Sequence, residues 1–476
     1  MKNNNYKKIL LINPPNEFEA PTLPLGLASL AAYLRVNGFD EIFVIDAWVE
    51  KIDAEELAKR ISQSQADFVG IYMISPCYSA AKKTIEIVRA TLPESVIIVG
   101  GPHPSAVPAE TLKEIPELDF CVIGEGEITT IELIRSLQNN SPLSTVDGIA
   151  YRGENHKTVI TQPRTFIKDL DILPFPARDL FPVEKYDSPP PPLGKKKPHL
   201  TLMTSRGCPF HCAYCSKDVY GDTYRGRSPK KVCDEIEILI NKYDAKEIQF
   251  YDDDFTMDMK RAEEICDEIL KRGIKISWTC LTRVNLVNEN LLKKMKQAGC
   301  WLIQYGVESG NQKILNTINK GIVIDQIVSA FAMTKKAKLL TSAFFLLGLP
   351  GETKNTIQDT MDLIKRLKPD FVGFGILIVY PGSRFFKLVH EGKYTGKSRT
   401  LTKEQNLKGT FFGQGNFTIF EDNLSFEEMK EISKKAQIKF YLRPRFIWQC
   451  LKSIRSFSEL FYYLKAATKV IKLMTG

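Results

Sequence analysis

Nothing in this 476-residue chain is long and apolar enough to span a bilayer, which takes roughly 18 consecutive apolar residues. The longest apolar runs, such as FVGFGILIV at 371–379, have strand length. The start, MKNNNYKKILLINPP, lacks the longer apolar core and the small-residue cleavage site of a signal peptide. Cysteine is scarce too. Ten residues are too few for a disulfide-built scaffold of this size. We read a reducing, cytoplasmic protein, whose grouped thiols are metal ligands or inert core residues. Charge of one sign does not dominate. A net charge of +9 suggests an anionic partner only if it is spread evenly, and it is not. Residues 1–164 carry 15 basic and 21 acidic side chains, whereas 438–476 carry eight basic and one acidic. The first third therefore does not look like a nucleic-acid binder. What the chain does have is 43% hydrophobic residues, ample for packed cores.

From residue 7 to 138, apolar runs alternate with helical patterns. The runs are KKILLIN (7–13), EIFVID (41–46), FVGIYM (68–73), VIIVGG (96–101) and FCVIGEG (120–126). Strands apolar throughout are buried on both faces, so the expectation is a doubly wound α/β domain over 1–140. Ligands of such sheets bind at the carboxyl ends of the strands, here NPP, SPCYS, GGPHP and GEGE. Residues 141–198 read as a small hairpin followed by a Pro-rich linker, with SPPPPLGKKKP at its end. A second βα series begins at 199. Its strand ends fall at TSRG (204–207), FYDDD (250–254), TCLTR (279–283), YGVES (305–309), LLGLPGE (346–352) and VYPGS (379–383). Six βα units predict a partial (β/α)6 barrel over 199–390, with polar strand ends facing one mouth. Residues 391–476 read as a mainly helical C-terminal region.

The strongest chemical signal is RGCPFHCAYCS, which places Cys208, Cys212 and Cys215 at C-x3-C-x2-C after the first predicted barrel strand. Three thiolates on one short loop can ligate three irons of a four-iron cluster and leave the fourth iron open. A zinc site is the alternative, with His211 as a fourth ligand, although tetrahedral ligation from inside the loop would be cramped. The spacing and context resemble the radical S-adenosylmethionine (radical SAM) superfamily, in order through residues 199–383. The resemblance implies a [4Fe-4S] cluster on the three cysteines and SAM on the open iron. It further implies Tyr214 beside the adenine and Asp252 and Asp253 at the SAM ammonium. Arg283 then faces the carboxylate, Glu308 the ribose or ammonium, and Gly348 the adenine. The acidic triplet at 252–254 departs from the commoner Gly-Gly-Glu element and resembles the form seen in cobalamin-linked members.

The first domain resembles the cobalamin-binding domain joined to many radical SAM enzymes. The matching pieces are PLGLASLAAYLRVNG (24–38), VID (44–46), VGGPHP (99–104) and IGEGE (123–127). They imply cobalamin contacts from Pro24, Leu25, Gly26, Ser75, Gly100, Gly101, His103, Gly124, Glu125 and Gly126. Better-known cobalamin proteins carry Asp-x-His-x-x-Gly after the first strand. Here that loop reads NPPNEFEAPTLPLG, so no histidine from it can be the lower cobalt ligand.

The tail 438–476 interleaves eight basic residues with eight aromatics. Such a helix either packs on the barrel or lies on a membrane surface. It is similar to tails of enzymes related to the anaerobic magnesium-protoporphyrin monomethyl ester cyclase. Together the resemblances imply a cobalamin-dependent radical SAM enzyme that generates a 5′-deoxyadenosyl radical. The leading outcome is methyl transfer through methylcobalamin to an unactivated carbon. The alternatives are a radical cyclase or oxidase of a tetrapyrrole- or lipid-like substrate, and a non-catalytic cobalamin or redox sensor. The implied partners are a small-molecule or lipid-like substrate, a one-electron reductant of flavodoxin or ferredoxin type, and a membrane surface reached through 438–476. Nucleic acid is disfavoured.

Overall fold

The computed structural model of the chain describes residues 8–16, 21–186, 194–401, 417–444 and 446–448. The four-proline run and the tail beyond 448 lie outside the described residues.

Five short parallel strands form the core of the first domain: β1 (Ile9–Asn13), β2 (Ile42–Asp46), β3 (Phe68–Tyr72), β4 (Val96–Gly100) and β5 (Phe120–Val122). Their order, β2-β1-β3-β4-β5, is the doubly wound arrangement expected. Alternation along β1 shows why the run is wholly apolar. Ile9 and Leu11 pack with Leu27, Ala31 and Ile134 of the helices Leu25–Val36 and Gly126–Gln138. Leu10 and Ile12 face the other way, onto Leu57, Ile61, Ile85 and Val88. The hairpin expected in the connector belongs instead to this sheet. Strands β6 (Ile149–Arg152) and β7 (Thr158–Ile160) add to β5 antiparallel, with Cys121 opposite Ala150. They cover the edge that β5 would otherwise expose, so the first domain extends about twenty residues past the expected boundary at 140.

The second sheet starts with β8 (His199–Leu202). The short pair β9 (Ser205–Arg206) and β10 (Arg225–Gly226) follows. Then come β11 (Glu247–Phe250), β12 (Ser277–Thr282), β13 (Cys300–Glu308), β14 (Leu340–Leu347) and β15 (Phe371–Ile376). The six long strands run parallel in sequential order, β8-β11-β12-β13-β14-β15, as a partial barrel does. Outward residues such as Phe250, Trp278, Tyr305 and Phe345 are fully buried under the surrounding helices. The C-terminal region is less helical than expected. An antiparallel pair, β16 (Ser398–Leu401) and β17 (Phe417–Phe420), lies between the helices Arg384–His390 and Phe426–Tyr441. The last helix covers the barrel's edge strand, where Tyr441 donates to the Val372 carbonyl at 2.6 Å.

The connector is bound to both domains. Ala177 N donates to Ala28 O at 2.9 Å, and Tyr186 Oη donates to Asp46 at 2.6 Å. On the barrel side the buried Arg178 donates to Thr201 O at 2.8 Å and to Glu235 at 2.9 Å. Glu235 also pairs with Arg227. Glu235→Ala, which strands two guanidinium groups in the interior, is expected to cost about 3–5 kcal/mol. Chemical denaturation of the apoprotein measures it.

Glu352 closes the turn after β14 by accepting from Gly348 N at 2.7 Å. Burial pushes its carboxyl up to about 7. A carboxyl raised on folding binds its proton more tightly in the native state, so its contribution is present at low pH and lost as pH rises through 7. The expected loss between about pH 4.5 and 7 is roughly 3 kcal/mol, and Glu352→Gln should remove that slope from denaturation curves taken across this range.

Candidate active site

A parallel strand delivers its carboxyl end to a loop whose free N–H and C=O groups can meet a ligand. Here the strand ends of both sheets open onto one cavity of about 860 Å3. The first domain contributes Pro24, Leu25, Gly26, Gly100, Gly101, Gly124, Glu125 and Gly126. On that side the cavity also enters between the sheet and its helices, along Leu11, Phe68, Ile98, Leu27, Leu30 and Ile134. Gly101 has φ +114, and a Cβ there would meet Met73 O and the Tyr72 ring within 3 Å. Only glycine can thus hold this turn, where the chain passes against Met73 and Tyr72 at the cavity wall.

From the barrel, Cys208, Cys212 and Cys215 all line the cavity, on the loop between β9 and β10. Arg283, at the end of β12, packs its guanidinium 3.7 Å from the Phe210 ring centroid and donates to Cys212 Sγ at 3.5 Å. A hydrogen bond from the Cys215 thiol, then the charges of Lys320 and Arg283, hold the Cys212 thiol below its ordinary value, while the same shared proton and burial push Cys215 up. His211 is exposed, its Nδ1 3.5 Å from Lys217 Nζ, and it does not line the cavity. Among the described residues, no three His, Cys, Asp or Glu side chains converge as ligands of a single ion. Three thiols on one short loop at the cavity wall fit the ligation of a four-iron cluster, with one iron left open.

Around the thiols the polar groups are ordered. Glu308 sits at φ +67, beside a register shift between Gly306 and Glu308 in the pairing with β14. An unusual backbone of this kind in a non-glycine residue marks a position held for its side chain. Its carboxylate accepts from Lys320 Nζ at 2.7 Å and from Tyr214 Oη at 3.0 Å, and Lys320 Nζ lies 3.1 Å from Tyr214 Oη. Gly306 leaves room for this triangle, since a Cβ there would meet Glu308 Oε1 at 2.7 Å. Asp253 and Asp254 line the cavity, and Cys208 Sγ lies 3.6 Å from Asp254 Oδ2.

Four expected positions lie elsewhere or have another occupation. Asp252 is turned inward and accepts from Thr204 N, Thr204 Oγ1 and Ser205 N, so it builds the first strand end and does not line the cavity. Gly348 faces Met429 and the Phe420 carbonyl of the C-terminal region. Ser75 and His103 bond each other at 2.9 Å outside the lining, with the Tyr78 ring 4.8 Å from the imidazole. Burial pushes His103 down to about 4, so it is neutral near pH 7. No histidine lines the cavity among the described residues.

Comparison with known proteins places this geometry. The Radical SAM superfamily model matches residues 202–364, and the B12 binding domain model matches 16–134. An uncharacterised methyltransferase of Pyrococcus horikoshii is 35% identical over 92% of this chain and 93% of its own. The chain is a cobalamin-binding radical SAM enzyme. The anaerobic magnesium-protoporphyrin IX monomethyl ester cyclase of Rubrivivax gelatinosus is 31% identical over 76% of this chain and 66% of its own. Two solved radical SAM structures share the fold. The methyltransferase TsrM of Kitasatospora setae superposes with a TM-score of 0.74 at 17% identity, covering 92% of this chain and 90% of its own. The cobalamin-dependent OxsB gives 0.76 at 19% identity, covering 98% and 72%.

The cofactors of this family are the [4Fe-4S] cluster, SAM and cobalamin. Cavity-lining residues beside the thiols that the sequence reading missed are Lys320, Asp254 and Phe210. Lys320 lies outside every motif, in the turn after the helix Gln312–Thr317, and only the fold brings it to Glu308. Asp254 had the motif but not the register, because the strand end bends and turns its neighbour Asp252 inward.

Replacing any one of Cys208, Cys212 or Cys215 by Ala should abolish the four-iron signal after anaerobic reconstitution, whereas Cys280→Ala, in the apolar core, should keep it. Iron content and low-temperature EPR decide. Gly101→Ala should weaken hydroxocobalamin binding at least tenfold in a titration while leaving iron content at the wild-type level.

Proposed function

We propose that this enzyme transfers a methyl group derived from SAM to an unactivated carbon of a small organic molecule. The observation that supports the reading best is that the thiol loop and the cobalamin-domain strand ends open onto one cavity. When bound, the cluster supplies the electron that splits the SAM sulfonium bond to give a 5′-deoxyadenosyl radical, and cobalamin supplies a carrier for the methyl group.

The chain's own residues hold and shield. Cys208, Cys212 and Cys215 hold the cluster. Asp253 and Asp254 stand where an ammonium would be met by carboxylates, in place of the expected pair Asp252 and Asp253. Arg283, Lys320 and Lys217 are cations lining the cavity beside the thiols, and Arg283 and Lys320 are suited to a carboxylate. Tyr214 and Glu308 complete that wall, suited to the adenine and ribose. Pro24, Leu25, Gly26, Gly100, Gly101, Gly124 and Gly126 form the opposite wall, where a corrin can lie flat. With no histidine in the lining, this wall has no imidazole to offer cobalt. Mostly apolar walls exclude water from a reactive radical. The remaining apolar room suits a largely apolar substrate.

A second reading, radical cyclisation or oxidation without net methylation, is favoured by the likeness to the Rubrivivax cyclase. The reading further includes a one-electron reductant protein of flavodoxin or ferredoxin type as donor. It also includes contact of the basic tail with a membrane surface. Among the described residues no helix is long and apolar enough to cross a membrane, and most of the tail lies outside them.

The test is anaerobic incubation of enzyme loaded with iron, sulfide and hydroxocobalamin with SAM and a strong reductant, followed by product analysis. Release of S-adenosylhomocysteine together with 5′-deoxyadenosine is expected, the former only when cobalamin is loaded. Deoxyadenosine without S-adenosylhomocysteine would overturn methyl transfer in favour of the cyclase reading.

A further inference from the structure

The GEGE loop was expected to hold cobalamin, yet its two carboxylates are bonded to the barrel. Glu125 and Glu127 are both buried. Arg206 Nη1 donates to Glu125 Oε1 at 2.8 Å, and Arg206 Nη2 donates to Glu127 Oε1 at 2.5 Å. Arg225 Nη1 lies 2.9 Å from both Glu125 oxygens. Glu125 also accepts from Ile167 N of the connector at 2.9 Å. The arginines are direct partners in the β9–β10 ladder, where Arg225 stands opposite Arg206. Between them, residues 207–224 carry all three cluster thiols.

Two arginines at the base of one loop thus share two carboxylates on one loop of the other domain. Packing supports the join. Arg225 lies 4.8 Å from the Phe166 ring, and a Cβ on Gly221 would meet that ring at 2.3 Å. A buried ion network of this kind adds little net stability over apolar residues of the same shape, because desolvation offsets the attraction. What it adds is a fixed register, since any shift leaves charge unpaired in the interior.

We infer that Arg206, Arg225, Glu125 and Glu127 form a clamp that sets the spacing between the thiol loop and the cobalamin-binding wall. Its task is to keep the SAM side and the cobalamin side of the cavity at the distance methyl transfer needs. These are positioning residues. The inference rests on the proposed methyl-transfer reading, but it has a readout of its own.

The experiment uses full-length protein loaded with cluster and hydroxocobalamin, as wild type, Glu127→Gln and Arg206→Lys. Three quantities are read: iron content with hydroxocobalamin affinity, the magnetic coupling between cobalt(II) and the reduced cluster by EPR, and S-adenosylhomocysteine release. The clamp predicts that either variant keeps its iron and binds hydroxocobalamin within threefold of wild type. The coupling should weaken or broaden, and S-adenosylhomocysteine release should fall at least tenfold. Unchanged coupling in a folded variant would overturn the clamp. So would a loss confined to hydroxocobalamin affinity, because the carboxylates would then be cobalamin contacts. If Glu127→Gln does not fold, Arg206→Lys, which keeps the charge but not the two-pronged geometry, is read by the same criteria. Failure of the wild type to release S-adenosylhomocysteine would remove the methyl-transfer reading alone, since the coupling measurement still decides the clamp.

Discussion

A parallel sheet sends every carboxyl-terminal strand end to the same side, and the rest of this molecule follows from placing two such sides face to face. Each sheet is buried on its helical faces and needs its strand ends free for loops. Once the two open ends share a cavity, their loops order one another. That ordering accounts for the Arg–Glu pairs at the join, for Asp252 tying down the first barrel strand end, and for Gly101 and Gly306 where no Cβ fits.

Within the cavity, charge is arranged by wall. Lys320 and Arg283 sit among the thiols, and Lys320 is held by Glu308 while Arg283 stacks on Phe210. In a cavity with mostly apolar walls such charges are felt strongly by one another and by whatever binds. The opposite wall is glycine-rich and largely apolar. The asymmetry matches the two kinds of ligand the family uses, one small and zwitterionic, the other broad and flat.

Both folds could be read from the sequence because periodicity is local: wholly apolar five-residue runs declare buried strands, and six βα units declare a barrel. The cysteine triplet was legible for the same reason, since its chemistry lies within eight residues. Readings that depended on long-range pairing were less secure. Residues 149–160 look like a free hairpin until β5 is seen to need an edge partner. Glu125 looks like a ligand residue until Arg206, 81 positions away, is found against it. Lys320 carries no signature at all, because one lysine after one short helix resembles any other. The segment GLPGE (348–352) resembles a cofactor loop, yet here the glycine at 348 packs under Met429, so the C-terminal region takes space that analogy gives to the ligand.

The connector between the domains has a consequence for how such a protein can arise and be divided. Composition suggests a place to cut, between about 140 and 200, where prolines accumulate. The bonds of Ala177, Arg178 and Tyr186 run to both sides of that cut. Two genes encoding the halves separately would each leave carboxylates or guanidinium groups facing solvent that are partnered only across the join. The halves are therefore not modules to be exchanged with other enzymes at will. A productive swap would have to carry the connector and the GEGE loop along with the thiol loop, as one inherited unit.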